Sequence, residues 1–262
     1  MNWTGLAAKA WDPSGGDEPQ DDHDFIRKVL EKNPGPALDV GCGTGRLLLR
    51  YLKLGLVVEG IDTSADMLAI CRQKAERQGL RVVLYQQAMQ NLDLPRRYKT
   101  IYIPCGTFML ITHLEEAWET LKRFYNHLEP GGILIFNIFW PFDEGQPLSV
   151  KPLGEFGDWG DLWSHELPDG SIIAQHLKIQ KIDRVEQLLI ARRRYQWIID
   201  GRIEQEETFD SNERWYYKHE MALMLEKVGF RDVQVKDGWT DEDFAERHSS
   251  MVFIARKPAE GK

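Results

Sequence analysis

The chain lacks any apolar run of the roughly twenty residues needed to cross a bilayer. Its opening, Met1-Asn2-Trp3-Thr4-Gly5, has no basic segment followed by an apolar one, so no secretory leader is expected and a cytoplasmic location is. Cysteine is scarce. Cys42, Cys71 and Cys105 are odd in number, without CxxC or zinc-type spacing, and read as small buried residues of a reducing compartment. With no HExxH and no calcium loop either, no metal is expected. A surplus of positive charge is missing as well. The 33 Lys and Arg against 41 Asp and Glu give a formal charge of −8, which disfavours a general binder of phosphate backbones. Arg192-Arg193-Arg194 is the one tight basic cluster, and strand alternation would split it between two faces.

What is present is enough for one sizeable core with an elaboration: 262 residues, 42% of them hydrophobic. The most informative stretch is Ala37-Leu-Asp-Val-Gly-Cys-Gly-Thr-Gly45, an apolar run containing an acid, then glycines at alternate positions before a helical stretch from Arg46 to Leu54. That order predicts strand, tight loop and helix, with backbone held close to a ligand. The third glycine comes one position too early for a dinucleotide fingerprint, and Asp39 is a poor neighbour for a phosphate. A carboxylate there suits a cofactor that carries an amine. Leu56 to Asp62 reads as the next strand, and Asp62 at its carboxyl end is placed to accept the hydroxyls of a ribose. Thr63 to Asp66 has the pattern of a capping box, opening a helix to about Gln78.

Strand-like segments at 36–40, 56–61, 81–85, 99–103 and 133–139 alternate with helical ones, predicting a mostly parallel sheet covered by helices. The helix near 113–128 is the clearest, with a capping box at Thr112–Glu115 and Leu114, Ala117, Leu121, Phe124 and Leu128 on one face. After Pro147 the period changes. Segments 172–182, 187–199 and 203–209 alternate as strands, joined by turns at Asp183–Glu186 and Asp200-Gly201. A last helix near 217–228, capped by Gly229, and strands near 231–236 and 250–256 follow.

The motifs Asp39-Val-Gly-Cys-Gly-Thr-Gly45, Gly60-Ile-Asp-Thr-Ser64 with Met67-Leu68, and Leu128-Glu-Pro-Gly-Gly132 closely resemble the class I S-adenosylmethionine-dependent methyltransferases. The similarity is strong over residues 20–140 and looser to the end, where Arg214-Trp-Tyr-Tyr and Leu225-Glu-Lys-Val-Gly-Phe230 are similar to its small-molecule branch. The resemblance implies an α/β fold: a Rossmann-like, seven-stranded, mostly parallel sheet with flanking helices and an inserted antiparallel β cap. It divides the chain into a cofactor-binding domain, 1–145 and 211–262, and an insert, 146–210, that covers substrate or joins a second subunit. It implies methyl transfer from S-adenosylmethionine, leaving S-adenosylhomocysteine, to the oxygen or nitrogen of a small molecule. Two alternatives stay open: a protein- or RNA-directed methyltransferase, and a non-catalytic S-adenosylmethionine-binding scaffold.

On this pattern Asp39 meets the cofactor's ammonium side, while Gly41, Cys42, Gly43 and Gly45 pass beneath it. Asp62 and Thr63 take the ribose, Met67 packs on adenine, and Ala88, Met89 and Pro104 complete the site. The chain departs from the family where an acid usually accepts from the adenine amine: Ala88 stands there, leaving Gln87 or Gln90 as side-chain acceptors, and Thr100 replaces another usual acid. Candidate substrate contacts are Trp11, Cys105, Phe108, Asn137, Trp140 and Trp163. His113, expected in the first turn of a helix beside the crevice, is the first candidate for a general base, and His165 the second. Tyr195, Trp197 and Ile199 share one face of a predicted strand, and this apolar patch should cover the crevice or join a second copy, with a homodimer slightly favoured.

Overall fold

The computed structural model describes residues 3–12, 20–139, 157–245 and 250–259. Trp140, expected at the pocket rim, lies outside the described residues, as does the start of the expected insert.

A short helix α1 (Gly5–Trp11) precedes α2 (Asp21–Lys32), and a strand–helix alternation follows. It runs β1 (Ala37–Val40), α3 (Leu48–Lys53), β2 (Val58–Asp62), α4 (Ala65–Arg77), β3 (Leu84–Gln86), β4 (Tyr98–Ile103), α5 (Leu114–His127) and β5 (Leu128–Phe139). After the second sheet come α6 (Lys218–Val228), β11 (Arg231–Asp237) and β12 (Ser250–Arg256). The seven-stranded sheet has the order β11-β12-β5-β4-β1-β2-β3. Pairs β3–β2, β2–β1, β1–β4 and β4–β5 are parallel, and β12 runs antiparallel between β5 and β11. All four residues of β1 are buried, as a central strand covered on both faces requires. Strand order reverses between β1 and β4, so their carboxyl ends open the crevice where such sheets take ligands.

The α5 stripe buries Ala117, Leu121 and Phe124 as its spacing predicts and adds Thr120, whereas Leu114, expected on the same face, is 42% exposed at the helix start. Two expected caps differ. His113 is the N-cap of α5 without a side-chain cap bond, and the Thr112 carbonyl instead accepts from Arg214 Nε at 2.7 Å. At α4 the cap is Ser64, whose hydroxyl accepts from Met67 N at 3.1 Å.

The second sheet is larger than three strands. It contains β6 (Gly160–Glu166), β7 (Ile172–Asp183), β8 (Leu188–Ile199), β9 (Arg202–Asp210) and β10 (Glu213–Arg214), all antiparallel. It therefore continues four residues past position 210, the expected end of the insert, through the β10–β8 pairing. Asp200 and Gly201 both take positive φ, 49° and 73°, as the two-residue turn between β8 and β9 demands. The face bearing Tyr195 packs on α1, where Leu6, Ala7, Ala10, Ile173 and Tyr195 form a separate small core. The patch expected to find a partner surface thus meets a helix of its own chain, and Ile199 at its end is 37% exposed.

In the main core Phe136 of β5 lies between Phe253 and Phe108, with ring centroids 5.3 and 5.2 Å away. Phe136→Ala should lower unfolding free energy by about 3–5 kcal/mol, since the emptied site is walled by strands that cannot collapse. A urea titration followed by circular dichroism measures this.

Candidate functional site

The carboxyl ends of β1, β2 and β4 meet α1 around a cavity of about 240 Å³. Its floor is the loop after β1. Gly43 sits at φ +54°, and a Cβ built there has nothing nearer than Trp11 Nε1 at 3.9 Å. The space above this glycine is open to a ligand, and only the backbone conformation calls for glycine. Gly41 lines the cavity too, whereas Gly45 does not: its Cβ would strike Cys71 Sγ at 2.7 Å and Leu49 Cγ at 2.8 Å. The third glycine therefore lets α3 approach α4, which corrects its expected place beneath the cofactor.

Two acids stand at the loop. Asp62 accepts from Gly43 N at 2.9 Å and from Ser64 N at 2.8 Å, so its carboxylate is fixed by the backbone on either side of the cavity. Burial raises its pKa while those bonds pull it back. Asp39 is more extreme. It is 1% exposed, and its Oδ1 has no hydrogen-bond partner. Burial pushes its pKa up to about 7, opposed by the Tyr102 hydroxyl and the charge of Arg46. Tyr102 is close enough to favour the carboxylate, but its hydroxyl makes no bond of standard geometry.

Arg46, one residue past the glycines, was not singled out from the sequence. It lines the cavity and forks onto buried Asp22 of α2, with Nη1 to Oδ1 at 2.8 Å and Nη2 to Oδ2. Nη2 also donates to Cys105 Sγ at 3.4 Å. Burial works against the guanidinium charge, and Asp22 and Cys105 together outweigh it, so the charged form is favoured. An arginine in the first turn of an expected helix reads as solvated. What makes this one different is Asp22, 24 residues earlier and invisible as a partner without the fold.

Of the other expected cofactor residues, Cys42, Thr63, Met67, Met89 and Pro104 line the cavity. Ala88 does not. Gln87 and Gln90 do, but the Gln87 amide is occupied by the backbone of Asp93, leaving Gln90 as the freer side chain. Among the expected substrate contacts, Trp11 and Cys105 line the cavity, joined by Trp3. Phe108 and Asn137 are corrections. Phe108 is wholly buried against Phe136 and Tyr216, away from the cavity wall. Asn137 accepts from Gly106 N at 2.9 Å and donates to Ser250 Oγ at 3.2 Å, so it shapes the loop after β4 rather than touching a ligand. Trp163 is off the wall as well, 6.0 Å from the Tyr195 ring in the second sheet.

Neither histidine stands in the cavity. His113 is exposed on the rim of α5, two residues beyond Ile111, which does line it. His165 lies beside Trp163, ring centroids 5.1 Å apart, on the second sheet. Positions outside the wall argue against direct proton transfer by either. The arginine cluster is neutralised: Arg192 faces Asp210 at 3.4 Å, Arg193 faces Glu213 at 3.4 Å, and Arg194 faces Glu206 at 3.9 Å while stacking on Trp159. Among the described residues no group of His, Cys, Asp and Glu is arranged to hold a metal, and no helix is long and apolar enough to cross a membrane.

Residues 37–132 match the family model of a methyltransferase domain. A protein of Geobacillus sp. (strain WCH70) named for methyltransferase activity is 38% identical over 118 residues, 44% of this chain and 48% of that one. The dTDP-3-amino-3,6-dideoxy-alpha-D-glucopyranose N,N-dimethyltransferase of Streptomyces fradiae is 31% identical over 128 residues, 48% of this chain and 49% of that one. The matches thus span about half the length of each of these two relatives. In structure, an S-adenosylmethionine-dependent methyltransferase from Clostridium acetobutylicum ATCC 824 superposes with a TM-score of 0.75 at 19% identity, covering 96% of this chain and 98% of its own. Residues 37–132 thus match a methyltransferase domain, and the chain as a whole shares the fold of a solved S-adenosylmethionine-dependent methyltransferase.

The cavity fits that cofactor. An unpartnered, buried carboxylate oxygen calls for a donor such as an ammonium group, and the open volume over Gly43 calls for a ligand. Asp62, already held by two amides, keeps lone pairs for ribose hydroxyls. Arg46 stands where a carboxylate can share its charge.

Two measurements check this. A group whose folded pKa is raised from 3.8 to about 7 contributes stability that is present below pH 3.8 and lost as pH rises through 7. Cofactor binding should show the reverse, because an ammonium ligand needs the ionised acid, so affinity should fall as pH drops below about 7. Asp39→Asn should remove this pH dependence from calorimetric titrations and weaken binding about tenfold or more, the worth of one charge-assisted hydrogen bond. Gly43→Val should abolish measurable binding while the protein stays folded by circular dichroism, since a branched side chain would both resist φ +54° and fill the ligand's space.

Proposed function

We propose that this protein transfers a methyl group from S-adenosylmethionine to the nitrogen of a small molecule, with an amino sugar as the leading acceptor class. The observation that carries the reading is the orphaned Asp39 carboxylate beside open space in a recessed cavity roofed by Trp3 and Trp11. When bound, the cofactor supplies a methyl group already activated by its sulfonium. The chain's own residues then have to bind, align and exclude water. Asp39 and Asp62 anchor the two polar ends, the two indoles roof the site, and Pro104, Cys105, Thr107, Leu110 and Ile111 form the wall after β4. That wall is short of charge, which suits an uncharged acceptor.

Nitrogen is preferred over oxygen because the cavity offers no free base among the described residues. Its ionisable members are Asp39 and Asp62, engaged as above, Arg46, and the thiols of Cys42 and Cys105, both of which burial pushes up. A neutral amine is nucleophilic without help, whereas an alcohol needs its proton taken. The relative from Streptomyces fradiae is named for N,N-dimethylation of a nucleotide-linked amino sugar, which supports the same class. A protein or RNA acceptor finds less support, because the cavity is recessed and the basic cluster is paired.

Incubation with methyl-labelled S-adenosylmethionine and a panel of amino sugars, phenols, peptides and RNA should place label on an amine of low mass. Label confined to peptide or RNA would overturn the reading. On the acceptor so found, turnover should rise with pH along the acceptor's own amine titration. His113→Ala should keep turnover within about threefold, where loss of a true general base costs about 10²–10⁴-fold.

A further inference from the structure

Helix α1 forms part of the cavity wall yet belongs to neither sheet, and it is tied to both. On the cofactor side, Gly5 N donates to Asp66 Oδ2 at 2.8 Å, and the Ser64 hydroxyl donates to the Trp3 carbonyl. At its far end Asp12 accepts from the Thr44 hydroxyl and pairs with Lys74 at 3.1 Å. On the second-sheet side, Leu6 N donates to Glu207 Oε2 at 2.9 Å, and Lys9 Nζ stands 5.4 Å over the Trp197 ring. Two of the free amides that open any helix are thus accepted by carboxylates from opposite layers, Asp66 from α4 and Glu207 from β9.

The Glu207 contact is built for close approach. Gly5 has φ +55°, and a Cβ there would lie 2.5 Å from Glu207 Oε1. Gln205 Nε2 holds that same oxygen at 2.8 Å, fixing the carboxylate from its own strand. Small residues complete the fit, with Ala7 and Ala10 buried against Ile173 and Tyr195. Trp3, whose ring is 4.8 Å from Trp11 and 6.3 Å from Tyr195, passes any shift of the helix to the roof of the cavity.

We infer that Glu207 is a positioning residue for the cofactor site: through the amide of Leu6 it holds α1, and so Trp3 and Trp11, against the bound cofactor. The second sheet thereby sets how long the cofactor stays, without touching it. This rests on the reading of the cavity as the S-adenosylmethionine site.

The test is the dissociation rate of S-adenosylhomocysteine by stopped-flow tryptophan fluorescence, together with hydrogen exchange of residues 5–11 in the ligand-free protein. Glu207→Ala should raise the dissociation rate about tenfold, as expected for loss of one charge-assisted hydrogen bond, and speed exchange across α1. Glu207→Gln, which keeps an acceptor oxygen for Leu6 N, should stay within about threefold of the native rate. Gly5→Ala should act like Glu207→Ala by pushing the carboxylate away from the helix side, and it decides alone if Glu207→Ala yields no folded protein. A native dissociation rate in a folded Glu207→Ala variant overturns the inference, even if α1 exchange quickens, because the helix would then be loosened without consequence for the site. Failure of the native protein to bind S-adenosylhomocysteine at all would instead overturn the reading of the cavity.

Discussion

Burying the Asp39 carboxylate at the end of the central strand, with one oxygen unpartnered, is the constraint around which this site is arranged. An ionised group so placed is costly unless something compensates. Within the chain the compensation is partial. Tyr102 and the Arg46 charge favour ionisation, yet burial dominates and the pKa settles near neutrality. The fold thus leaves one buried carboxylate oxygen without a partner, as a site for a cationic ligand would require.

That arrangement explains several features that would otherwise look unrelated. Arg46 is directed by the buried Asp22 of α2, a pair whose desolvation is offset by forked geometry. Cys105, at φ 59°, and Gly106, at φ 66°, form a left-handed pair pinned by Asn137, and this turn carries the thiol up to Arg46. The strain of a non-glycine residue there is held in place by the β5–β12 pairing behind Asn137.

The sequence disclosed the parts of the site governed by local rules. Alternate glycines, the acid at the end of β2 and the strand–helix alternation are short-range signals, and all seven strands of the main sheet fell close to their expected places. What could not be read depends on contacts between distant segments. Arg46 gains its role from Asp22, and Asn137 from Gly106 and Ser250. Phe108 and Cys105 were both expected to contact substrate, but the turn after β4 sends the two side chains opposite ways, Cys105 to the cavity and Phe108 to the core. Strand β6 was missed because its exposed Asp161, Leu162, Ser164 and Glu166 mask the alternation, which a register shift between Asp161 and Trp163 breaks further. Helix α1 had no signal beyond its alanines, since seven residues are too few to show a period.

The same brevity gives α1 its character. A seven-residue helix has little stability of its own, so its position follows from what holds it: two carboxylates at one end, an aspartate clamp at the other, and alanines against the second sheet. Trp11 ends this short element and Trp3 precedes it, so the indole side of the cavity depends on anchors divided between the two sheets.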